Sequence, residues 1–451
     1  MSFPRYPTYK DSGVEWLGEV PGHWEVVPLK FIANVQTGVA KGKDNSTKAT
    51  IQVPYMRVAN VQDGYLDLDN IAEIEIPAED LPRYRLQKGD VLMNEGGDFD
   101  KLGRGHIWNG SIEPCIHQNH VFAVRPHGVS PVWLNAITGS QYAQFYFMSR
   151  SKQSTNLASI SSTNLMELPV VLPPQAEQTG ISVFLDRETA KIDALVAEQR
   201  RLMALLKEKR QAVISHAVTR GLNPRAPMKP SGIEWLGDVP EHWDVCSIRR
   251  VVTAIEQGWS PECFARPAED EEWGVLKAGC VNRGIYEQND NKALPAELTP
   301  MPEYEVQVGD VLMSRASGSP ELVGSTALVT STREKLMLSD KIFRFRFDQQ
   351  MEPKFFVATL NSRPMRSQIE QALSGGNGLA NNLPQASLRG FFLAVPPKQE
   401  QLAVCEYLES ELAKFDTLTT EAQRAIDLLQ ERRTALISAA VTGQIDVREV
   451  A

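Results

Sequence analysis

Few residue patterns in this chain have the spacing that catalysis or metal binding requires. The segment TGVAKGKD, from Thr37 to Asp44, has three residues between its glycines and an Asp after the lysine. A phosphate-binding P-loop needs four residues there and then Ser or Thr. CIHQNH, from Cys115 to His120, groups a thiol and two imidazoles, but a zinc site normally takes further ligands from a second segment of similar spacing. Neither segment therefore predicts a catalytic or metal site.

Other catalytic signatures are also missing from the sequence. It contains no GxSxG, no HExxH, no glycine-rich dinucleotide fingerprint and no Asn/Asp-Pro-Pro-aromatic motif of an amino-methyltransferase. We therefore predict no catalytic residue, no metal site and no cofactor in this chain, and we expect that it is not an enzyme.

Length and composition limit the class of protein. A chain of 451 residues is too long for one ordinary core, so two or three domains are expected. No apolar run reaches the roughly 18 residues that span a bilayer, and the start MSFPRYPTYKDSG lacks a signal-peptide pattern. We expect a cytoplasmic protein with no membrane partner. The cysteines are odd in number and form no CxxC pair, which predicts free thiols at Cys115, Cys246, Cys263, Cys280 and Cys405.

The net charge of −9 bears on possible nucleic-acid binding. Residues 1–175 carry 15 basic against 18 acidic side chains, and residues 227–397 carry 17 against 22. Only residues 176–226, with 9 basic against 6 acidic, have a positive balance. Because phosphate neutralisation supplies much of the affinity for DNA, DNA contacts in this chain must be local, or a basic partner must supply the rest.

An internal repeat organises the chain. SGVEWLGEVPGHWEVV, from Ser12, returns as SGIEWLGDVPEHWDVC, from Ser231, with 11 of 16 positions identical. KGDVLM from Lys88 returns as VGDVLM from Val308, and PPQAEQ from Pro173 returns as PPKQEQ from Pro396. The offsets are 219, 220 and 223 residues. One unit is therefore duplicated, and its repeated tryptophans indicate core packing more than a binding platform.

Each copy reads as a globular segment followed by a helical one. Short β-like runs broken by Gly, Pro, Asn and Asp, such as GDVLM, NHVFAVRP and KIFRFRF, predict a strand-rich α+β domain. WLNAITGSQYAQFYFMSRS and FFVATLNSRPMRSQIEQALS each predict a helix. We divide the chain into a first domain, residues 1–175, a central helical region, 176–226, a second domain, 227–397, and a C-terminal helical region, 398–451.

The helical regions have matching apolar positions at coiled-coil spacing. About 42 residues at about 1.5 Å each give a rod near 60 Å, too long for one such domain to cover. We therefore favour two long helices that pack on each other, over two surface helices that each pack on their own domain. The predicted seam consists of Ile192, Leu195, Leu202, Leu206, Val213, Phe415, Leu418, Leu429 and Leu436.

The repeated opening motif, the GDVLM strand with its polar loop, and the LPPQAEQ or VPPKQEQ start of a long helix resemble the specificity subunits of type I restriction-modification systems. The resemblance runs in register along essentially the whole chain. It implies two target recognition domains separated by two long antiparallel helices. Each domain would read one half of a split, asymmetric site on double-stranded DNA.

The resemblance also implies partners. The helices would set the gap between the half-sites and dock two methyltransferase subunits, which bind S-adenosylmethionine and methylate adenine. Separate restriction subunits would translocate and cut DNA. The alternative is a scaffold or adaptor that binds no DNA and organises an assembly through its helices, which the acidic charge favours and the match in register disfavours.

Base reading calls for Arg, Lys, Asn and Gln on loops or helix ends. The alternative for any one such residue is a solvated surface role. As a set they are the predicted DNA-binding residues: in the first domain Lys41, Lys43, Lys48, Arg57, Asn60, Lys101, Arg104, Gln118 and Asn119, and in the second Arg266, Lys277, Asn282, Arg283, Arg315, Lys341, Asn377, Asn381 and Asn382.

Overall fold

The computed structural model of the protein describes residues 3–42, 48–97, 99, 102–153, 158–374 and 381–448. The chain forms two compact units. Unit 1 consists of Met1–Arg200 and Gln423–Ala451, and unit 2 is the continuous stretch Arg201–Ala422. Each unit therefore contains one domain of the repeat together with part of both long helices.

The first copy of the repeat is rich in short strands and ends in a helix of 46 residues. Its strands are β1 Tyr9–Asp11, β2 Glu19–Pro21, β3 Glu25–Pro28, β4 Ala33–Thr37, β5 Thr50–Met56, β6 Ala72–Pro77, β7 Val91–Asn94, β8 Gly96–Gly97, β9 Gly105–Ile107, β10 Ile116–His117, β11 Val121–Pro126, β12 Lys152–Gln153, β13 Ala158–Ser159 and β14 Pro169–Leu172. Its helices are α1 Leu81–Tyr84, α2 Pro131–Thr138, α3 Gln141–Arg150, α4 Ser162–Met166 and α5 Gln175–Arg220.

The second copy follows the same plan and ends in a helix of 44 residues. Its strands are β15 Met228–Pro230, β16 Asp238–Pro240, β17 Asp244–Ser247, β18 Val252–Gln257, β19 Gly274–Leu276, β20 Asn291–Ala293, β21 Val311–Ser314, β22 Ala316–Ser317, β23 Thr326–Leu328, β24 Leu336–Met337, β25 Ile342–Phe347, β26 Asn381–Asn382 and β27 Phe392–Val395. Its helices are α6 Pro353–Leu360, α7 Arg363–Ala372, α8 Gln385–Gly390 and α9 Lys398–Val441.

Sheet topology repeats with the sequence. A four-stranded antiparallel sheet has the order β4-β11-β7-β9 in unit 1 and β18-β25-β21-β23 in unit 2. A smaller sheet has the order β10-β5-β6 or β24-β19-β20, and in both its first pair is parallel. The apolar GDVLM residues are buried because they form the inner strands β7 and β21. The predicted strand-rich α+β repeat is confirmed.

The opening motif is anchored to the start of the long helix in its own unit. The buried Trp24 indole donates to Glu177 Oε2 at 3.0 Å, and His23 Nε2 lies 2.7 Å from Glu177 Oε1. In unit 2 Glu400 meets Trp243 and His242 at 2.9 and 2.6 Å. Trp24 and Trp243 therefore have the predicted core role, whereas Trp16 is partly exposed and lies 6.1 Å from Phe145, ring to ring.

The two segments predicted as single helices are each two helices. In unit 1 the break lies between α2 and α3, where the Ser140 hydroxyl donates to the Ile137 carbonyl at 2.6 Å and accepts from the Ala143 amide at 3.3 Å. In unit 2 the Ser362 hydroxyl donates to the Thr359 carbonyl at 2.6 Å between α6 and α7. A serine side chain that bonds to local backbone competes with helix continuation, and in unit 2 Pro364 in the first turn of α7 also prevents one continuous helix.

The long helices pair in an antiparallel arrangement within each unit. In unit 1 Leu185 of α5 shares a core with Leu436 and Val441 of α9. Farther along α5, Asp193 accepts from Arg433 at 3.0 Å, earlier in α9. In unit 2 Ala217 shares a core with Val404 and Leu408, while Arg210 donates to Asp416 at 2.5 Å. The two ion pairs are equivalent at the 223-residue offset, so the predicted helix pairing holds in both units.

The residues of the predicted seam differ in their burial. Ile192, Leu206 and Phe415 are buried, and Leu429 is partly buried. Val213 and Leu436 pack on the domain cores of units 2 and 1, respectively, so the helix ends also cover their domains.

Three predicted seam residues are wrong: Leu195, Leu202 and Leu418 are 51%, 41% and 49% exposed. The buried residue after Ile192 is Val196. Coiled-coil seams alternate steps of three and four residues, so either Leu195 or Val196 could follow Ile192. The prediction chose Leu195, the larger side chain, and therefore a step of three residues where the structure has a step of four. The same choice in the second copy placed Leu418 in the seam.

Candidate nucleic-acid interface

The Asp of each GDVLM motif holds the central strands of its four-stranded sheet together. Asp90, at the start of β7, is buried and accepts from Arg125 Nε and Nη2 of β11, both at 2.7 Å. This hydrogen bonding raises the pKa of Arg125. Asp310, before β21, accepts from Arg344 at 3.3 Å and from Arg346 at 2.8 Å. Charge-assisted bonds of this kind are short and directional, so they fix the strands that lead to the candidate site.

The opposite end of β7 gathers four polar side chains, Glu95, Arg104, Asn119 and His120, which we call the β7 end. Glu95 Oε2 lies 2.8 Å from His120 Nδ1, and Asn119 Nδ2 lies 3.2 Å from His120 Nε2. Arg104 adjoins them because its carbonyl accepts from the Asn94 amide at 3.1 Å. Among the described residues the Arg104 guanidinium has no hydrogen-bond or ion-pair partner.

The corresponding β21 end consists of Arg315, Asp340, Lys341, Asn381 and Asn382. Arg315 Nη1 donates to the Asp340 carbonyl at 3.2 Å and its guanidinium lies 5.9 Å from the Phe343 ring centre. Lys341 Nζ donates to Asp340 Oδ2 at 3.0 Å. Burial raises the pKa of Asp340, but hydrogen bonds from Ser260 and Lys341 outweigh this effect, so the pKa lies below its ordinary value. Strand β26, which carries both asparagines, pairs with β22 directly after Arg315.

Both ends are built on the same backbone. The Glu95 amide donates to the His120 carbonyl at 3.0 Å, and the Arg315 amide donates to the Lys341 carbonyl at 2.8 Å. The Glu95 and Arg315 carbonyls in turn each accept from a backbone amide, at 2.9 Å in both units. A close backbone approach is also repeated: a Cβ on Gly38 would lie 2.0 Å from the His117 carbonyl oxygen, and one on Gly258 would lie 1.8 Å from that of Leu338. Only glycine fits at these two positions.

Two further predicted residues lie beside the β7 end. The Asn119 amide donates to the Val39 carbonyl at 3.1 Å, which brings the exposed Lys41 close by in the chain. The Gln118 side chain accepts weakly from the Val58 amide, at 3.4 Å. Thus the structure brings Arg104, Gln118 and Asn119 to this end of unit 1, while Lys41 Nζ lies 5.9 Å from the Tyr55 ring of β5. It brings Arg315, Lys341, Asn381 and Asn382 together in unit 2.

The other predicted residues of unit 1 lie around the smaller sheet. Lys48 forms an exposed ion pair with Glu79 at 2.7 Å, and hydrogen bonding to Glu79 raises the pKa of Lys48. Arg57 Nη2 donates to the Asn70 carbonyl at 3.0 Å. Asn60 is 2% exposed, accepts from the Arg57 amide and donates to two carbonyls. The prediction that Asn60 contacts DNA is therefore wrong, because its side chain is buried and its polar atoms are already bonded.

The equivalent region of unit 2 holds the remaining candidates. Arg266 makes a two-pronged pair with Glu272, both bonds at 2.6 Å, and hydrogen bonding from Arg266 lowers the pKa of Glu272 to about 2. Lys277 lies 3.1 Å from Asp290. Asn282 and Arg283 follow in a turn where Arg283 is exposed and has φ +59°. Arg266 and Lys277 lie beside β19 and β20, whereas the turn that holds Asn282 and Arg283 also contacts β21 and β22. The roles of these residues in DNA binding stay predictions.

Three predicted DNA-binding residues, Lys43, Lys101 and Asn377, lie outside the described residues. The cysteines that are described have no disulfide partner. In the CIHQNH segment Cys115 and His117 are buried and His120 is exposed. Burial raises the pKa of the Cys115 thiol to about 12 and lowers that of His117. Within the described part of the chain, no three His, Cys, Asp or Glu side chains lie together as metal ligands, and no helix is long and apolar enough to cross a membrane.

Comparison with known proteins finds similarity to one family. Residues 21–201 match the profile of the type I restriction modification DNA specificity domain. The type I restriction enzyme EcoEI specificity subunit of Escherichia coli is 34% identical over 240 residues, which are 52% of this chain and 40% of that subunit. A putative type I restriction enzyme specificity subunit, MjaX of Methanocaldococcus jannaschii, is 24% identical over 436 residues, 96% of each chain. Over this range and over most of its length, the chain is therefore similar to type I specificity subunits.

Solved structures agree with this family at the level of the fold. The HsdS subunit from Thermoanaerobacter tengcongensis aligns with a TM-score of 0.50 at 15% identity, over 94% of this chain and 98% of the other. A chain from a structural study of assembly and conformational transition in a type I restriction-modification system aligns with a TM-score of 0.64 at 16% identity, with the same coverage. The specificity-subunit fold therefore extends over both units.

Glu95 and His120 were missed by reasoning from residue type. The predicted set contains hydrogen-bond donors, and Glu95 entered the prediction only as part of the acidic charge of the first domain. The signal was present in the repeat, because Glu95 follows KGDVLMN where Arg315 follows VGDVLMS.

Proposed function

We propose that this chain is the DNA sequence-recognition subunit of a type I restriction-modification complex, in which each domain reads one half of a bipartite, asymmetric site on double-stranded DNA. The proposal rests on the structure of the two copies of the repeat. Two domains share strand topology and helix seam, yet they differ in the polar side chains at the ends of β7 and β21. One chain with two different readers suits an asymmetric site, whereas a palindrome needs only a symmetric dimer.

The polar residues at these ends match the chemistry of DNA reading. Arginine forms paired hydrogen bonds with guanine, and asparagine does so with adenine. Both kinds of side chain are present at the β7 end and at the β21 end. Because the chain is acidic overall, we infer that these local contacts give specificity and that basic partners supply much of the phosphate neutralisation.

We propose that the long helices set the gap between the half-sites and dock two methyltransferase subunits. Support comes from large apolar side chains that are exposed at equivalent helix positions in both units. Leu195 and Leu428 are exposed in unit 1, and Leu418 and Leu205 are their repeat counterparts in unit 2, at offsets of 223. Exposed leucines at matched positions are suited to two copies of one partner.

Catalysis in this proposal resides in other chains. The methyltransferase subunits bind S-adenosylmethionine and methylate adenine, and restriction subunits translocate and cleave DNA. We place the complex in the cytoplasm, where its DNA substrate is found. The match to a DNA specificity domain disfavours the scaffold alternative.

Methylome sequencing tests the proposed function. The source strain is compared with a deletion of this gene and with the deletion complemented by the full chain. We expect one asymmetric two-part adenine methylation motif that disappears on deletion and returns on complementation. A methylome that does not change on deletion would contradict DNA recognition, and would favour the scaffold reading if the chain still assembled with other proteins.

A further inference from the structure

The β7 and β21 ends differ in charge at one equivalent position. Glu95 in unit 1 and Arg315 in unit 2 each follow the last residue of the repeated GDVLM strand. Their neighbours across the strand differ too, since His120 corresponds to Lys341 and Asn119 to Asp340. The backbone around the position is the same in both units, with amide-to-carbonyl bonds of 3.0 and 2.8 Å to the neighbouring strand. The same backbone arrangement therefore presents a hydrogen-bond acceptor, Glu95, in the first domain and a donor, Arg315, in the second.

Two equivalent pairs of residues near this backbone arrangement keep their chemistry. Asp90 and Asp310 both bind arginine, and Gly38 and Gly258 both permit a close backbone approach. A position needed only for stability would be expected to keep its charge as these do, because its partners would be the same. The change from a negative to a positive side chain occurs at a position that lies outside the buried core.

Each side chain keeps unused hydrogen-bonding capacity in an oriented position. The Glu95 side chain is 27% exposed. Its Oε2 contacts His120, whereas its Oε1 has no hydrogen-bond partner among the described residues. Arg315 uses Nη1 on the Asp340 carbonyl, and its Nε and Nη2 have no partner in the described part of the chain. An oriented carboxylate can accept from the amino group of cytosine or adenine, whereas an oriented guanidinium can donate to O6 and N7 of guanine.

We propose that Glu95 and Arg315 are the equivalent specificity-determining residues of the two domains. Glu95 reads a base that presents an amino group in the major groove, either cytosine or adenine, and Arg315 reads guanine in the other half-site. His120 and the Asp340 carbonyl are positioning groups, which hold the reading side chains in place. This inference rests on the proposed function and adds to it which position in each domain discriminates between bases.

The test measures binding of the complex, purified from its source strain with its partner subunits, to duplexes that carry the methylome motif with one base pair varied at a time. Glu95→Gln keeps the size and one acceptor but adds a donor, and Arg315→Lys keeps the charge but loses the paired donors. We expect each variant to lose about tenfold or more of its discrimination at one base pair. The affected base pairs should lie in different half-sites, so each variant is the control for the other. Glu73→Gln, an exposed carboxylate on β6, should change nothing.

The outcomes separate this inference from the proposed function. Unchanged discrimination in both variants, changes in the same half-site, or an equal loss on every duplex would overturn the assignment of Glu95 and Arg315. A wild-type complex without any sequence preference would instead overturn the proposed function. Thermal melting of each purified variant identifies misfolding, and Glu95→Asp and Arg315→Gln then serve as replacement variants under the same criteria.

Discussion

Removal of the Glu177 carboxylate should loosen unit 1 at the start of α5. Glu177 accepts from the buried Trp24 indole at 3.0 Å and contacts His23 at 2.7 Å. Glu177→Ala leaves the buried indole N–H without an acceptor, which costs about 1–3 kcal/mol. Loss of the partly exposed contact with His23 adds up to about 1 kcal/mol. We therefore expect the free energy of unfolding of unit 1 to fall by roughly 1–4 kcal/mol.

The matched controls separate the two contributions. Glu177→Gln keeps an acceptor for the Trp24 indole, so its effect should be about 1 kcal/mol or less. Glu400→Ala removes the equivalent acceptor in unit 2, but the Glu400 side chain is 45% exposed against 15% for Glu177. Water can replace part of the lost bonding there, so we expect a smaller loss, roughly 1–2 kcal/mol.

Native-state hydrogen exchange measured by mass spectrometry is the suitable assay, because two units in one chain need not unfold in a single transition. The peptides to follow contain β3 and β14, which pair with each other; β3 follows Trp24 and β14 precedes α5, where Glu177 lies. A loss of 1–4 kcal/mol corresponds to a fall in protection of about 5- to 900-fold. Equal exchange in Glu177→Ala and Glu177→Gln would refute the assignment of the cost to the orphaned indole.

Four further outcomes are expected. Arg104→Ala should relax one half-site of the methylated motif and leave the other unchanged, and an unchanged motif would remove this residue from the interface. Leu418→Glu should reduce the complex with the methyltransferase from two-to-one to one-to-one in native mass spectrometry, whereas two retained subunits would contradict the docking proposal. Insertion of four residues after Arg200 adds about 6 Å of helix and should lengthen the unspecified spacer by about one or two base pairs, while two inserted residues should abolish methylation. Asp310→Ala should destabilise unit 2 by about 3 kcal/mol, since it leaves a buried guanidinium short of a counter-charge, and an unchanged melting curve would refute this.

The sequence predicted those parts of the fold that depend on repetition and periodicity. The GDVLM strands, the duplicated domain and the long helices all have a pattern that elementary geometry translates directly into structure. The breaks after α2 and α6 were missed because one serine that bonds to local backbone outweighs an otherwise helical pattern. The Leu195 error arose because heptad spacing permits two choices, and only tertiary packing decides between them.

The candidate site was less predictable than the fold. Residue type alone predicted that Asn60 contacts DNA. Its side-chain amide instead donates to two backbone carbonyls in a turn that the sequence does not reveal. It overlooked Glu95, whose significance lies in its equivalence to Arg315 and not in its own chemistry. Comparison of the two copies position by position is therefore more informative than a search for donors.

The discontinuity of unit 1 has a consequence for synthesis on the ribosome. Its core includes Ala440, Val441 and Val447, and the Asp446 amide donates to the Pro4 carbonyl at 2.8 Å. Unit 2 is a single continuous stretch and is complete once residue 422 has emerged. Chains usually acquire structure from the N-terminus as they emerge, but here the first-made domain must wait for the last-made residues. Premature termination near residue 430 should therefore damage the beginning of the protein more than its middle.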